Sequence, residues 1–247
     1  MKKLLPILLL IFSNSVYSWS ITPMSKSLAL NENNFILKIN NTGGNEMIAL
    51  KLSVFNRTQN PEGDTDILTK TNDIRIFPSQ IIIPAGKIKP IRVLIKQKNN
   101  TNFEKAYRLI AETVPIKKND SQESGIQVFL KYIASIYLKP TQKIDNGKKL
   151  TLNNAKIIGD NLILNIVNTN AYHKILTINQ INSQYNGRDF LVDNKDVMHN
   201  ILANSNVNIK IKLSEKQKSV LINNTNLSFV NECKVCDKSH IYSTSVN

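Results

Sequence analysis

This sequence is short of most residue types on which enzyme chemistry depends. It has two cysteines, three histidines and one tryptophan among 247 residues, and aromatics make up 6% of it. His173, His199 and His240 have no Ser, Cys or acid pair nearby at a catalytic spacing. Neither a phosphate loop, nor HExxH, nor a cluster of acids suited to a metal occurs. The chain is therefore not expected to be an enzyme, and no cofactor or metal is expected. Long apolar runs are missing too. Beyond Leu4–Phe12 nothing reaches the ~18 to 20 apolar residues of a membrane span, so no stable membrane insertion is expected. Acids are also scarce, 18 against 32 Lys and Arg, for a net charge of +14. A nucleic-acid partner is not expected from this excess, because the lysines are spread through β-like runs and not gathered into one patch with interleaved aromatics. Lysine on exposed sheet edges is the simpler reading.

The chain starts MKKLLPILLLIFSNSVYS: two lysines, a short apolar core, then small and polar residues. This has the form of a secretory signal peptide with cleavage after Ser18, so residues 1–18 are set aside. Their removal takes away Lys2 and Lys3 and no acid, leaving 229 residues and a net charge of +12. That length suits one large domain or two of about 100 to 120 residues. In an oxidising, exported setting, Cys233 and Cys236 of NECKVCDKSH are read as a local disulfide. A redox CxxC would want a βαβ context, and a zinc half-site with His240 would want a fourth ligand.

Helical periodicity is nearly absent, and short β-rich runs recur between turn signals. The first runs are 28–30 with 35–39, closed by Asn40-Asn41-Thr42-Gly43-Gly44, then 47–55, in which Ile48, Leu50, Leu52 and Val54 alternate with Ala49, Lys51, Ser53 and Phe55. NRTQNPEGDTD reads as a polar loop. After it come 74–77, 80–83, a tight Pro84-Ala85-Gly86 turn, 91–95, 106–114 and 126–138. Seven or so strands in about 120 residues is the count of an immunoglobulin-like sandwich. Residues 141–149 are polar and unpatterned and read as a linker. A second β series follows at 162–167, 174–178, 190–192, 207–213, 220–222 and 227–230. The expectation is all-β, with domains over 19–140 and 150–247.

The stretch IQVFLKYIASIYLKP, 126–140, is unusual in carrying apolar residues on both faces. Ile126, Val128, Leu130, Tyr132, Ala134, Ile136 and Leu138 share one face, while Phe129, Ile133 and Tyr137 lie on the other with Lys131, Ser135 and Lys139. A sandwich strand has one core face and one outer face, so burying both would need a third layer.

FPSQIIIPAGKIKPIRV, AYRLIAETVPI, IQVFLKYIASIYLKP and ILNIVNTNAYHKILTI, in that order, resemble stretches of the periplasmic pilus-assembly chaperones, the PapD-like family. FPSQIIIPAGKIKPIRV, 77–93, is similar to that family's strand, tight turn and strand ending in Arg-Val. AYRLIAETVPI resembles the next strand with its terminal proline, and IQVFLKYIASIYLKP the long last strand of the first domain. ILNIVNTNAYHKILTI is similar to a strand and turn of the second domain. The late cysteines sit where many members carry theirs, at a shorter spacing. The resemblance implies two immunoglobulin-like sandwiches in a boomerang arrangement. It also implies an ATP-independent periplasmic chaperone that holds pilus or fimbrial subunits by donor-strand complementation and delivers them to an outer-membrane usher. On that reading Ile126, Val128, Leu130 and Tyr132 form the subunit-binding strand. The family also holds the subunit's C-terminal carboxylate with two cations, one on the first strand and one on the last strand of the first domain. Matching the closing proline puts the latter at Ser135, which is not basic, and the former near Ser25 or Lys26. Lys26, Lys131, Arg92 and Arg108 are therefore the anchor candidates. The alternative is an exported, immunoglobulin-like pilus or adhesin subunit, but the WSITPMSKSLAL start is short for a donor extension.

Overall fold

The computed structural model describes residues 19–62, 65–97, 100–116, 129–141, 150–183, 197–215, 217–218, 226–231 and 240–245. The described residues form two β-sandwiches in chain order. In the first, β1 (Ser20–Thr22), β3 (Asn34–Asn40), β8 (Ile88–Ile95) and β6 (Ile74–Phe77) make one sheet in the order β1-β3-β8-β6. The facing sheet runs β2-β10-β9-β4-β5, from β2 (Ser25–Leu28), β10 (Lys131–Leu138), β9 (Lys105–Val114), β4 (Ile48–Gln59) and β5 (Asp66–Lys70). β7 (Gln80–Ile83) pairs with the first part of β4. Alternation along each strand sends one row inward, and Leu37, Ile39, Leu50, Leu52, Ile91, Val93, Leu109 and Ile136 meet in a common core.

Two turn residues are dictated by geometry. Gly86, in the predicted Pro84-Ala85-Gly86 turn, takes φ +72°, a left-handed conformation that a side chain disfavours. At Gly44 a Cβ atom would stand 2.1 Å from Asn41 Oδ1. Asn41 is buried, and its Nδ2 donates to the carbonyls of Glu46 (2.9 Å), Ile83 (3.3 Å) and Pro84 (3.1 Å), tying the two turns together.

The second sandwich stacks the sheet β11-β12-β15 on β14-β13-β16-β17. Its strands are β11 (Thr151–Ile158), β12 (Asn161–Asn168), β13 (Lys174–Ser183), β14 (Val197–Ile201), β15 (Ser205–Lys212), β16 (Asn226–Asn231) and β17 (His240–Ser245). Leu162, Leu164, Leu176, Val207, Ile209 and Ile211 fill a separate core. Buried Asn168 organises the turn after β12: its Nδ2 donates to the carbonyls of Tyr172, Ile201 and Leu202, and its Oδ1 accepts from Asn170.

Strand content exceeds the sequence pattern in places. β4 runs on to Gln59 and β5 forms a hairpin with it, where a loop was expected. β11, β14 and β17 are further strands, while the expected runs at 190–192 and 220–222 lie outside the described residues, as do most of 141–149 and the leader 1–18.

Candidate functional site

The last strand of the first sandwich answers what covers its two faces. On the inward face, Leu138, Ile136 and Ala134 are buried, whereas Tyr132 and Leu130 are only half covered by the core. Tyr132 is pinned at this end: its ring meets Trp19 edge-on at 4.5 Å, and its hydroxyl donates to the Trp19 carbonyl at 2.6 Å. Cover thus thins along the apolar row toward Leu130; Val128 and Ile126 lie outside the described residues. On the outward face Phe129 is 54% exposed and Ile133 42%, so among the described residues no third layer covers that end. Only Tyr137 is sealed, by Ala106 and by Leu202 of the second sandwich.

The edges of β10 differ along its length. β9 pairs antiparallel with all of Lys131–Leu138. β2 pairs parallel with Ser135–Leu138 alone. Among the described residues, then, the strand ahead of Ser135 has a neighbour on one side only.

Behind that open end lies the junction between the sandwiches. Tyr137 stacks on His173 with ring centroids 4.0 Å apart and planes 15° from parallel. Buried Glu104 accepts the His173 backbone N–H at 3.1 Å and also meets its Nδ1, while the Glu104 N–H donates to the Ala171 carbonyl at 2.8 Å. Gln59 bridges as well: its Nε2 donates to the Asn200 carbonyl and its Oε1 accepts the Leu202 N–H, both at 2.7 Å. Asn200 Nδ2 donates to the Tyr137 hydroxyl at 2.7 Å.

These contacts leave a cleft of about 240 Å³, with Arg57, Asp66 and Arg108 on one wall and Met198, His199 and Asn200 on the other. Asp66 Oδ1 accepts from Arg57 Nε at 2.7 Å, and Asp66 Oδ2 accepts from Arg108 Nε at 2.9 Å and Nη2 at 2.8 Å. Arg108 Nη1 donates to Ser135 Oγ at 2.5 Å. Ser135 pairs across the sheet with Ser25 on one side and Arg108 on the other. The guanidinium therefore lies over the position where the resemblance asked for a cation and the sequence offers serine. Nearby, Tyr107 donates to Asp73 at 2.6 Å, and burial, together with that carboxylate, pushes its phenol far above the ordinary range.

Of the four anchor candidates, Arg108 alone reaches this cleft. Lys26 shares a row with inward-facing Ile136 and pairs with Glu32 at 3.0 Å. Arg92 is exposed on the other sheet beside Phe77 and Ile36. Lys131 is exposed on the face of Arg108, but at the far end of β10 next to Glu112. Arg57 is the cleft residue that sequence reasoning missed. The signal was present in Asn60-Pro61-Glu62-Gly63, a turn sequence flanked by Arg57 and Asp66 and so able to close a hairpin. Cys233 and Cys236 lie outside the described residues. Among the described residues no helix is long and apolar enough to cross a membrane, and no group of three or more His, Cys, Asp or Glu converges to hold a metal.

Known proteins place this architecture. No curated relative matches the sequence. The fold is similar to the Csu chaperone–tip adhesion subunit pre-assembly complex of the archaic chaperone-usher pili of Acinetobacter baumannii, with a TM-score of 0.62 at 17% identity, covering 93% of this chain and 99% of that one. The class 5 fimbriae chaperone CfaA aligns with a TM-score of 0.51 at 20% identity, over 92% and 99% of the two chains. A Salmonella enterica complex of the SafA pilin with the SafB chaperone gives 0.53 at 10% identity, over 93% and 97%. The model for the pili and flagellar-assembly chaperones, PapD N-terminal domain, matches residues 24–143, which span β2 to β10 and include Arg57, Asp66, Arg108 and the open strand. Residues 24–143 thus form a domain of the PapD N-terminal family of pili and flagellar-assembly chaperones.

Proposed function

We propose that this protein is exported to the periplasm, holds a pilus or fimbrial subunit by donor-strand complementation without ATP, and hands it to an outer-membrane usher. The observation that carries the reading is the half-open β10: among the described residues it is paired on one side only ahead of Ser135, and its apolar residues there, Leu130 and Tyr132, are only partly covered. A subunit lacking its last strand has the complementary defect, a groove and a row of unpaired backbone groups. The strand lends its free N–H and C=O groups to that edge. Ile126, Val128 and Leu130 then extend one core into the next, each contributing about 1.5 to 3 kcal/mol before ordering costs. Backbone pairing depends little on sequence, so related subunits are served alike, and release follows when another subunit's own strand takes the place of β10.

In this reading the subunit's C-terminal carboxylate docks in the cleft on Arg108 with Arg57. A buried carboxylate is costly unless it is paired and hydrogen-bonded, and guanidinium does both at once. Co-expression with a fimbrial subunit that lacks its donor strand tests the proposal. A stable one-to-one heterodimer is expected, lost in Val128→Asp while circular dichroism of the chaperone is unchanged. Undiminished subunit recovery with Val128→Asp, or self-polymerisation of the protein alone, would overturn it.

A further inference from the structure

The cleft is already occupied by a carboxylate of the chain itself. Asp66 Oδ2 accepts from both Nε and Nη2 of Arg108, and its Oδ1 accepts from Nε of Arg57. Such charge-assisted hydrogen bonds are roughly twice as strong as neutral ones. With Nη1 of Arg108 given to Ser135, that guanidinium has little left for a visitor, and Arg57 keeps only a long contact of 3.4 Å to the Tyr137 hydroxyl.

The need for a resident anion is electrostatic. The Arg57 side chain is 5% exposed, and a buried guanidinium beside a second one is strongly destabilising without a counter-charge. Asp66 is also the member of the trio best placed to leave. It is the first residue of the outermost strand β5, just after the hairpin turn, and its side chain keeps 23% exposure. Among the described residues its carboxylate has no partner besides the two arginines. The trio carries one net positive charge, so an entering carboxylate neutralises the cleft and an uncharged terminus does not.

We propose that Asp66 is a resident counter-ion that competes with the client's carboxylate for Arg108, so that the empty chaperone is self-paired and the client docks by displacing it. This rests on the reading of Arg57 and Arg108 as the anchor. The affinity for a client terminus is then a difference between two carboxylates. Release is eased for the same reason, because Asp66 returns to the arginines as the client departs.

Acetate serves as the probe, followed through the Nε–H signals of Arg57 and Arg108 in ¹⁵N NMR spectra of the mature protein, with chloride at equal ionic strength as the control. Asp66→Asn is expected to bind acetate at least about tenfold more tightly than the natural chain, the loss of one charge-assisted competitor. Asp66→Glu, which keeps the competing charge, is expected to stay weak. Equal binding by Asp66→Asn and the natural chain overturns the proposal, as does weaker binding or none in the variant. Should asparagine disturb the fold, Asp66→Ser removes the charge with a smaller polar side chain, and the same outcomes apply. The result is separable from the strand reading: retained subunit recovery with Val128→Asp sinks that reading and leaves the acetate result standing, and the opposite pattern removes the counter-ion alone.

Discussion

Glu104→Ala is expected to loosen the two sandwiches from one another while leaving each folded. The Glu104 side chain is 3% exposed and belongs to neither sandwich core; its carboxylate serves His173, through the backbone N–H at 3.1 Å and through Nδ1. Truncation leaves both His173 groups without their acceptor. A buried donor so stranded costs about 1 to 3 kcal/mol, and the His173 ring, 23% exposed, recovers part of its share from water. The sum, about 2 to 4 kcal/mol, falls on the junction, where the remaining ties include the Tyr137 stack, the Gln59 bridges, the Asn200–Tyr137 hydrogen bond and the Glu104 backbone N–H to Ala171. Calorimetry should show one unfolding transition for the natural protein resolve into two, or its lower edge move down by several degrees. Small-angle scattering should show a larger radius of gyration. Glu104→Gln, which keeps an acceptor oxygen, should lie between. An unchanged transition together with an unchanged radius in Glu104→Ala would refute the assignment of the junction to this pair.

Two further outcomes follow from local geometry. Gly44→Ala must push Asn41 off the carbonyls of Glu46, Ile83 and Pro84, and a loss of about 1 to 3 kcal/mol in urea unfolding is expected; a midpoint within error of the natural protein would contradict the contact. Glu32 accepts the Ala29 N–H at 2.8 Å and pairs with Lys26, and these hold its carboxyl below the ordinary value of 4.5. A depressed folded-state value means the stabilisation is complete above the ordinary value and disappears as pH falls through the folded one. The gap between the natural protein and Glu32→Gln, below about 1 kcal/mol because the side chain is 38% exposed, should therefore be present at pH 6 and closed in strong acid. A gap that widens in acid would reverse the sign.

Strands with one face in the core were legible because burial imposes a period of two on them. The 74–77 and 80–83 runs and the turn at Gly86 stand where alternation and turn chemistry put them. The hairpin of β4 and β5 was missed although its turn sequence was present, since Arg57 and Asp66 read as loop residues until their mutual pairing is seen. Its edge strand carries Asp66, Thr69 and Lys70 in place of an apolar row. The cleft was hidden for a related reason. The strand position at which the resemblance implies a cation holds Ser135, and a guanidinium reaches it from the next strand, an arrangement visible only when cross-strand rows are known. Two of the residues expected to meet a partner, Leu130 and Tyr132, do lie on the strand's apolar face, but sequence cannot say how far a core extends along such a face.

The chain's first strand changes sides at Pro23: Ser20–Thr22 joins β3 in one sheet, and Ser25–Leu28 joins β10 in the other. Parallel register means that residues before Ser25, had they kept to the second course, would run alongside Lys131–Ala134 and seal the molecule against outsiders. Proline offers no N–H for such a ladder. The open flank of β10 is thus a by-product of an early detour in the chain's own path, settled more than a hundred residues before the strand it leaves uncovered.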